Sequence, residues 1–328
     1  MSDTVLVTGG AGYVGSHACK ALAAAGYRPV TYDNLQRGHR WAVKWGPFEE
    51  GDLRDAARLA DVIRRTTPVA VFHFADLLRI EESIHNPALY WRNNVVGSLN
   101  LAEACYAGGV PFLVYSSTAA VYGLPEQLPI PESHPLRPIS AYGSTKLAVE
   151  RCFRDFQAAG GAAFSALRYF NAAGSDPEGE IGEAHTPKHH LIPMALEVAL
   201  GTRDVLRIFG EDYDTPDGTC VRDYVHVSDL ARAHLSVLER LKAGGEGGIW
   251  NLASGRGFSV RQVLESVRRV TGHPLPTVSA PRRPGDPPAL VADARLAEAE
   301  LGFVTEHRDL DEIVAHDWAW AKALHQRS

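Results

Sequence analysis

The stretch Thr4-Val-Leu-Val-Thr-Gly-Gly-Ala-Gly-Tyr-Val-Gly15 carries an apolar run into a glycine-dense turn, and a helical pattern follows from about Ser16. This order predicts a buried parallel strand that leads through a tight turn into a helix N-terminus, where backbone N–H groups bind phosphate. Gly9 permits the bend, Gly12 lets a pyrophosphate approach the backbone, and Gly15 lets the helix pack against the sheet. The spacing, Gly-x-x-Gly-x-x-Gly, is one residue wider at its start than the usual dinucleotide fingerprint.

Around this turn, the first half of the chain alternates short apolar runs with helical patterns. Strands are predicted at residues 5–8, 29–33, 69–74, 112–116 and 164–169, and helices at 16–25, 54–65, 94–107 and 141–158. Repeated strand–helix units indicate a parallel sheet with helices on both faces, so we predict an α/β fold with a doubly wound, Rossmann-type sheet. Ligands of such sheets bind beyond the carboxyl ends of the strands.

The pattern changes after Asn171, where loops rich in Gly, Pro, Asp and His precede a helix near 192–200. A polar loop over 210–219 leads to an apolar run at 221–227, and a strand at 249–252 is expected to return to the main sheet. We therefore predict a smaller, interleaved C-terminal α/β substrate domain that closes over the cleft. The dinucleotide-binding domain would comprise residues 1–171 plus about 220–252, and the substrate domain 172–219 plus about 253–328.

Bulk properties exclude several classes of protein. The 328 residues are 45% hydrophobic and 22% charged, which is ordinary for a globular enzyme. A net charge of −6 provides no overall field for nucleic acid or an anionic membrane, and no apolar run reaches the length of a membrane span. A strand begins near the N-terminus and the cysteines show no paired spacing, so we expect a cytoplasmic protein without a signal peptide or a disulfide framework. The cysteines are Cys19, Cys105, Cys152 and Cys220.

Asp33 closes the second predicted strand and follows Gly15 by 18 residues. Dinucleotide-binding sheets place the acid that binds the adenosine ribose at about this distance. Its carboxylate would accept hydrogen bonds from the 2′- and 3′-hydroxyls and repel a 2′-phosphate, so NAD is favoured over NADP. The alternative is an acid in a surface turn.

Tyr142 and Lys146 are four residues apart and therefore lie on one face of a helix. A tyrosine with its usual pKa of about 10 is a poor base at neutral pH. A neighbouring ammonium and the positive ring of oxidised nicotinamide would stabilise its phenolate. The pair then suits removal of a hydroxyl proton while hydride leaves the same carbon. Tyr-x-x-x-Lys is common on helices by chance, but here it follows the strand-end run Ser116-Ser117-Thr118 in a chain with a dinucleotide turn.

Ten short motifs run along nearly the whole chain. They are VTGGAGYVGSH (7–17), YDNLQRGH (32–39), GDLRD (51–55), HFA (73–75), NNVVGS (93–98), SSTAAVYG (116–123), YGSTK (142–146), LRYFNAAG (167–174), FGEDYDTPDGTCVRDYVHV (209–227) and PRRPGD (281–286). With these motifs the chain resembles the extended short-chain dehydrogenase/reductases and, among them, the UDP-glucose 4-epimerase family. The block at 209–227 is the most specific of the ten.

The resemblance implies NAD as cofactor and a UDP-sugar as substrate. It implies that Tyr142 is the catalytic base, Lys146 its electrostatic partner, and Thr118 the hydroxyl that bonds the reacting sugar oxygen. The implied cofactor contacts are Gly9, Gly12, Tyr13, Val14, Gly15, Asp33, Asn34, Asp52, Leu53, Phe74, Ala75, Asn93, Ser116, Tyr142, Lys146 and Tyr169. The implied substrate contacts are Thr118, Asn171, His190, Leu191, Phe209, Arg222, Arg282, Asp286 and Leu290.

The activity implied by the resemblance is interconversion of UDP-galactose and UDP-glucose at C4, through a transient 4-keto sugar and tightly bound, recycled NAD. A 4-epimerase of UDP-GlcNAc/GalNAc, UDP-xylose/arabinose or UDP-glucuronate is an open alternative, and a non-catalytic NAD-binding regulator is a remoter one. Ala119 and Ala120 stand where 4,6-dehydratases carry an acid pair, which disfavours dehydration. The resemblance also implies a homodimer that pairs helices 94–107 and 141–158.

Several residues depart from the family pattern. Thr118 stands where serine is common and keeps the hydroxyl, and His190 stands where asparagine is known. Asp76-Leu77-Leu78 replaces a segment that often carries a lysine near the cofactor phosphates, a charge that Leu78 cannot supply. Leu290 has an intermediate size at the position that gates N-acetylated sugars, so the use of such sugars is left open.

Three histidines near the start of the second domain raise the question of zinc. His185, His189 and His190 are close in sequence, but no cysteine or carboxylate set completes a site. We therefore expect a solvated loop and no metal.

Overall fold

The computed structural model describes residues 2–283 and 285–326. The strands are β1 (Thr4–Thr8), β2 (Arg28–Asp33), β3 (Phe48–Glu50), β4 (Ala70–His73), β5 (Phe112–Thr118), β6 (Ala163–Tyr169), β7 (Asn171–Ala173), β8 (Leu206–Phe209), β9 (Val221–His226), β10 (Ile249–Leu252), β11 (Gly257–Ser259), β12 (Thr277–Ala280) and β13 (Ala289–Leu290). The helices are α1 (Tyr13–Ala24), α2 (Ala56–Thr66), α3 (Ile80–His85), α4 (Pro87–Tyr90), α5 (Gly97–Ala107), α6 (Ala141–Ala158), α7 (Leu191–Ala199), α8 (Val227–Lys242), α9 (Val260–Thr271), α10 (Arg295–Leu301) and α11 (Leu310–His325). Within these described ranges, none of the helices combines the length and the apolar character that a membrane span requires.

Seven strands form the main sheet in the order β10-β6-β5-β4-β1-β2-β3. Every neighbouring pair in this sheet is parallel. Successive strands are added on one side of β1 up to β3 and on its other side from β4 onward, so the carboxyl ends of β1 and β4 flank a topological switch point. The predicted doubly wound α/β architecture is confirmed, and β10 joins the main sheet beside β6.

Helices cover both faces of this sheet. Successive side chains of a strand point to opposite faces, and on the buried strands both sets are apolar and must be covered. On β1, Val5 and Val7 belong to the core that packs against α1 and α8. Leu6 belongs to the opposite core, against α2, α5 and α6. The near-continuous apolar runs of the sequence therefore reflect burial on two faces.

The C-terminal part builds a separate core around α7, α9 and α11. Strand β9 pairs with β7, β11 and β13, and β8 pairs with β12 in a separate two-stranded sheet. Helix α10 contacts α8 and β10, and its Ala297 belongs to the core on the face of the main sheet that is covered by α1 and α8. The two halves of the chain are thus interleaved, and the proposed domain boundaries remain a prediction.

The region between β4 and α5 differs from the sequence prediction of a single helix at 94–107. Helical structure begins at Ile80, breaks at Asn86, restarts at Pro87 and passes through a π-helical turn at Trp91–Val96 before α5 begins. Proline fits the first position of a helix and marks the restart. The short strand β3 was also missed, because three residues are too few to show a periodic pattern.

Candidate active site

The glycine turn after β1 has no room for side chains at two of its three predicted glycines. Gly9 has φ +74°, and a Cβ there would lie 2.7 Å from the backbone nitrogen of Ala75. A Cβ on Gly15 would lie 2.2 Å from the carbonyl oxygen of Gly9, so α1 packs directly on the turn. A Cβ on Gly12 would lie 3.2 Å from that same oxygen, and no other atom among the described residues would lie within 4 Å of it. Helix α1 has neither a side-chain cap nor an acid in its first turn, which leaves its N–H groups available to an anion.

Asp33 lies at the end of β2, beside the glycine turn. Its Oδ2 accepts a hydrogen bond from the Ala11 N–H at 3.1 Å, and its Oδ1 accepts one from the Leu35 N–H at 2.8 Å. Burial raises the pKa of Asp33, while these two hydrogen bonds oppose the rise. A Cβ on Gly38 would lie 2.9 Å from both carboxylate oxygens. A side chain at position 38 would therefore crowd the Asp33 carboxylate, a constraint that the place of Gly38 in the motif at 32–39 could have indicated.

The next predicted cofactor residues form a polar group beside β2. Asn34 donates from Nδ2 to Asp52 Oδ2 at 2.8 Å, and Arg54 donates to both Asp52 oxygens, at 2.8 and 2.6 Å. Hydrogen bonding to Arg54 holds the pKa of Asp52 well below its usual range. Leu53 is buried in the core that packs against α2, α5 and α6.

Tyr142 lies in the first turn of α6, and Lys146 lies one turn further along. The Ser140 hydroxyl caps this helix by accepting from the Gly143 N–H at 3.1 Å. A Cβ on Gly143 would lie 2.5 Å from the carbonyl oxygen of Ala120, so the helix start is pressed against the segment that follows β5. Thr118 ends β5 and accepts at its hydroxyl from the Ala120 N–H at 3.2 Å. The fold thus brings Thr118, Tyr142 and Lys146 to one edge of the sheet.

Lys146 has a buried carboxylate partner that the sequence did not reveal. Its Nζ donates to Asp76 Oδ2 at 2.6 Å and also to the Ser116 carbonyl oxygen. The Tyr115 hydroxyl donates to the same Asp76 oxygen at 2.8 Å. The Lys146 and Asp76 side chains are only 3% and 4% exposed. From the sequence, Asp76 was considered only for the lysine that its segment lacks, and the structure shows that it is the ion-pair partner of Lys146.

Asn94 fixes the segment after β4 to helix α6. Its side chain accepts from the Leu77 N–H at 2.9 Å and donates to the Leu77 carbonyl at 3.0 Å. It also donates to the Thr145 hydroxyl at 3.2 Å, next to Lys146. The predicted cofactor residue Asn93 lies beside it and donates to Asn94 Oδ1 at 3.1 Å and to the Ala75 carbonyl at 3.5 Å. Sequence reasoning missed Asn94, although the motif at 93–98 contains both asparagines.

Tyr169 and Phe74 share a partner in α8. The Tyr169 hydroxyl lies 2.5 Å from His234 Nε2, and the Phe74 and His234 ring centroids are 4.8 Å apart. Burial lowers the pKa of His234 to about 4, so this imidazole is neutral at pH 7. His234 carries no motif signal, because it lies 65 residues from Tyr169 in sequence.

The segment that follows β7 lies against the glycine turn. The Tyr13 hydroxyl donates to the Gly174 carbonyl. The neighbouring Val14 packs against the core on the α1 and α8 face of the sheet. His39 Nε2 lies 3.2 Å from the Ala184 carbonyl. The start of α1 and the loop after β2 are therefore tied to the segment that follows β7.

The two predicted phosphate-binding arginines are both paired with carboxylates. Arg222, on β9, forms an ion pair with Asp286, and Arg282 donates from Nε to Asp212 at 2.7 Å. Leu290 lies opposite Arg222 in the β9–β13 register. The structure thus gathers Arg222, Asp286 and Leu290 around one strand. Pro284, in the same basic segment, lies outside the described residues.

The other predicted substrate contacts lie on separate elements of the C-terminal half of the chain. Asn171 donates from Nδ2 to the Asp223 carbonyl at 3.1 Å. His190 is the N-cap residue of α7 and Leu191 is its first residue. Phe209 ends β8, and the guanidinium of Arg283 lies 4.0 Å from the centroid of its ring.

The site can therefore hold an anionic, ribose-bearing dinucleotide over the glycine turn, with a phenol and an ammonium at the adjacent strand end. The model of the NAD dependent epimerase/dehydratase family matches residues 5–253 of the chain. The chain belongs to this family. The predicted cofactor class and the family resemblance are both confirmed.

Comparisons with individual proteins agree with this assignment. The chain is similar to a UDP-glucose 4-epimerase of Rhizobium leguminosarum bv. trifolii, with 48% identity over 97% of both chains. The crystal structure of UDP-glucose 4-epimerase from Brucella ovis in complex with NAD has 49% identity and a TM-score of 0.94, over 97% of this chain and 99% of that one. A UDP-glucose-4-epimerase structure from Stenotrophomonas maltophila, with bound NAD and formylated UDP-arabinopyranose, has 38% identity and a TM-score of 0.96, over 99% and 100%.

Proposed function

We propose that the protein interconverts UDP-galactose and UDP-glucose by inverting the configuration at C4 of the hexose. The observation that carries the proposal is the placement of Thr118, Tyr142 and Lys146 at the carboxyl end of β5, across the switch point from a glycine turn that fits a dinucleotide. The relatives' shared activity supports the same reaction.

Bound NAD supplies the acceptor that takes the C4 hydride and gives it back. The groups proposed to hold it are the N–H groups at the start of α1, the Asp33 carboxylate and Lys146. Tyr142 removes the proton from the C4 hydroxyl while the Thr118 hydroxyl bonds that oxygen, and Lys146 favours the phenolate form of Tyr142. After the 4-keto sugar has turned over, Tyr142 returns the proton.

This mechanism requires the nucleotide to be held tightly while the hexose stays free to rotate. Each ~1.4 kcal/mol of additional UDP binding slows escape of the keto sugar about tenfold at a fixed association rate. Arg222 and Arg282 would supply this binding away from the reacting carbon, because guanidinium matches phosphate oxygens bidentately. In this structure Arg222 pairs with Asp286 and Arg282 pairs with Asp212. A bound diphosphate would replace these carboxylates as the partner of the two arginines.

The choice of sugar is open among UDP-linked substrates. Leu290, on β13, lies opposite Arg222 of β9. The proposed role of its side chain is to limit, by its size, how bulky a substituent the bound sugar can carry. A panel of UDP-galactose, UDP-GlcNAc, UDP-xylose and UDP-glucuronate, compared by kcat/KM, tests the proposal. We expect UDP-galactose to have the highest value. A higher kcat/KM for another sugar would reassign the substrate, and no turnover of any would favour the non-catalytic regulator.

We also propose that two copies associate through α5 and α6. Apolar side chains on and before α5 are exposed, namely Trp91 at 43%, Val96 at 47% and Leu99 at 38%. Such a patch is typical of a contact between chains. Light scattering of the intact protein tests it, and a monomer at micromolar concentration would contradict it.

All four cysteines are free, which supports the proposed cytoplasmic location.

A further inference from the structure

Three histidines gather in the segment that leads into α7. His185, His189 and His190 each offer one ring nitrogen, and these atoms all lie within 4.8 Å of one another. The ring centroids of His189 and His190 are 4.1 Å apart, and those of His185 and His189 are 5.1 Å apart. The proposed reaction does not use this cluster as a group.

Several buried polar atoms in this cluster have no hydrogen-bond partner among the described residues. They are Glu183 Oε1, His185 Nδ1 and both ring nitrogens of His189. Leaving a buried donor or acceptor unsatisfied costs about 1–3 kcal/mol. Orphaned atoms are few in folded proteins, so their concentration in one place points to a ligand that would satisfy them.

Glu183 is the carboxylate that sequence reasoning could not find for this cluster. Its Oε2 accepts from His190 Nδ1 at 2.6 Å, and its Oε1 lies 3.6 Å from His185 Nδ1. The Glu183 side chain is 4% exposed. A carboxylate that holds one ring nitrogen of a histidine fixes the ring and leaves the other nitrogen for a metal, an arrangement common around zinc ligands.

We propose that His185, His189 and His190 bind a zinc ion, with Glu183 accepting the Nδ1 proton of His190. Imidazole is a preferred zinc ligand, and three histidines leave the fourth tetrahedral position for water. Zinc–nitrogen bonds are about 2.0–2.1 Å long, so ring nitrogens that lie within 4.8 Å of one another would share an ion after side-chain rotations that bring them closer together. The proposal departs from the expectation of a metal-free loop, and the titration described below decides between the two.

The Glu183 carboxylate supplies negative charge beside the histidines, 2.6 Å from His190 Nδ1 and 3.6 Å from His185 Nδ1. Lys188 is the neighbouring cation, and its Nζ donates to the main-chain carbonyl of Glu183 at 2.8 Å.

A second group of similar composition provides an internal control. His307, Glu312 and His316 also lie within 4.8 Å of one another. However, His307 Nδ1 donates to Glu312 at 2.8 Å, and His316 Nδ1 lies 3.1 Å from His226 Nε2. The Glu312 carboxylate and His316 Nδ1 are thus already bonded, to His307 and to His226, whereas both ring nitrogens of His189 in the first cluster have no partner in the described part of the chain. The second group should therefore bind zinc more weakly.

The test is calorimetric titration of ZnCl₂ into chelator-treated, full-length protein. We expect one zinc ion per chain, at least about tenfold weaker binding in H189Q, and binding weaker by about 10–100-fold in E183Q. H307Q should bind like wild type. His189 makes no side-chain hydrogen bond among the described residues, so H189Q should keep the wild-type thermal midpoint without zinc.

Cobalt provides an independent readout on wild-type protein, since Co²⁺ bound by three imidazoles gives visible absorption that zinc abolishes. This readout holds even where a variant fails to fold. The proposal is overturned if wild type takes up no zinc, if H189Q binds zinc as wild type does, or if only H307Q loses binding.

Discussion

Replacing Tyr142 by phenylalanine should lower kcat by about 10²–10⁴-fold, which is the usual contribution of a positioned general base. The phenol is the proposed base, and the substitution removes only its hydroxyl. Tyr142 lies in the capped first turn of α6, so the helix start should be retained. Initial rates of UDP-galactose conversion, measured with saturating substrate, give the value directly.

Tyr106→Phe is the matched control for this substitution. Tyr106 is 51% exposed at the end of α5, and its hydroxyl bonds only weakly to the Ala159 carbonyl, at 3.4 Å. We expect its kcat to equal that of wild type. Equal rates in wild type and Tyr142→Phe would remove Tyr142 from the proton transfer.

Replacing Asp76 by alanine should lower the free energy of unfolding by about 3–5 kcal/mol. The substitution leaves the buried Lys146 ammonium without its carboxylate and deprives the Tyr115 hydroxyl of its acceptor. Urea unfolding measures the change. The same variant should lose activity, because Lys146 would no longer be held beside the Ser116 carbonyl in the position that supports Tyr142.

A double-mutant cycle separates this pairing from a general packing defect. Combining Asp76→Ala with Lys146→Met removes both charges, so the double variant should be destabilised by less than the sum of the two single changes. Glu126→Ala is the exposed control, since Glu126 and Arg137 are 56% and 73% exposed and such pairs contribute about 0–1 kcal/mol. Strict additivity in the cycle would show that Asp76 and Lys146 are not coupled.

The features that local sequence could predict are those carried by neighbouring residues. The β1 turn was predictable because apolar run, glycines and helix are contiguous, and the Tyr142–Lys146 pair because helical periodicity places residues four apart on one face. The doubly wound sheet followed from the repeated strand–helix order.

The features that sequence could not predict depend on contacts between distant segments. Asp76 pairs with a lysine 70 residues away, Lys146. The sequence around Asp76 therefore gave no indication of its role. Glu183 lies close in sequence to the histidines, but only the loop's fold shows that its oxygens face His185 and His190. The helical pieces between Ile80 and Val96 were not predicted, because each is too short to show a clear helical periodicity.

The central claim is that the hydride removed from C4 returns to the same sugar without leaving the protein. The direct measurement is conversion of UDP-galactose deuterated at C4, in the presence of excess unlabelled free NAD, with the product followed by mass spectrometry. We predict that UDP-glucose keeps the deuterium and that free NADH does not accumulate. Loss of deuterium to water or to free cofactor, or NADH formed in step with product, would contradict the account.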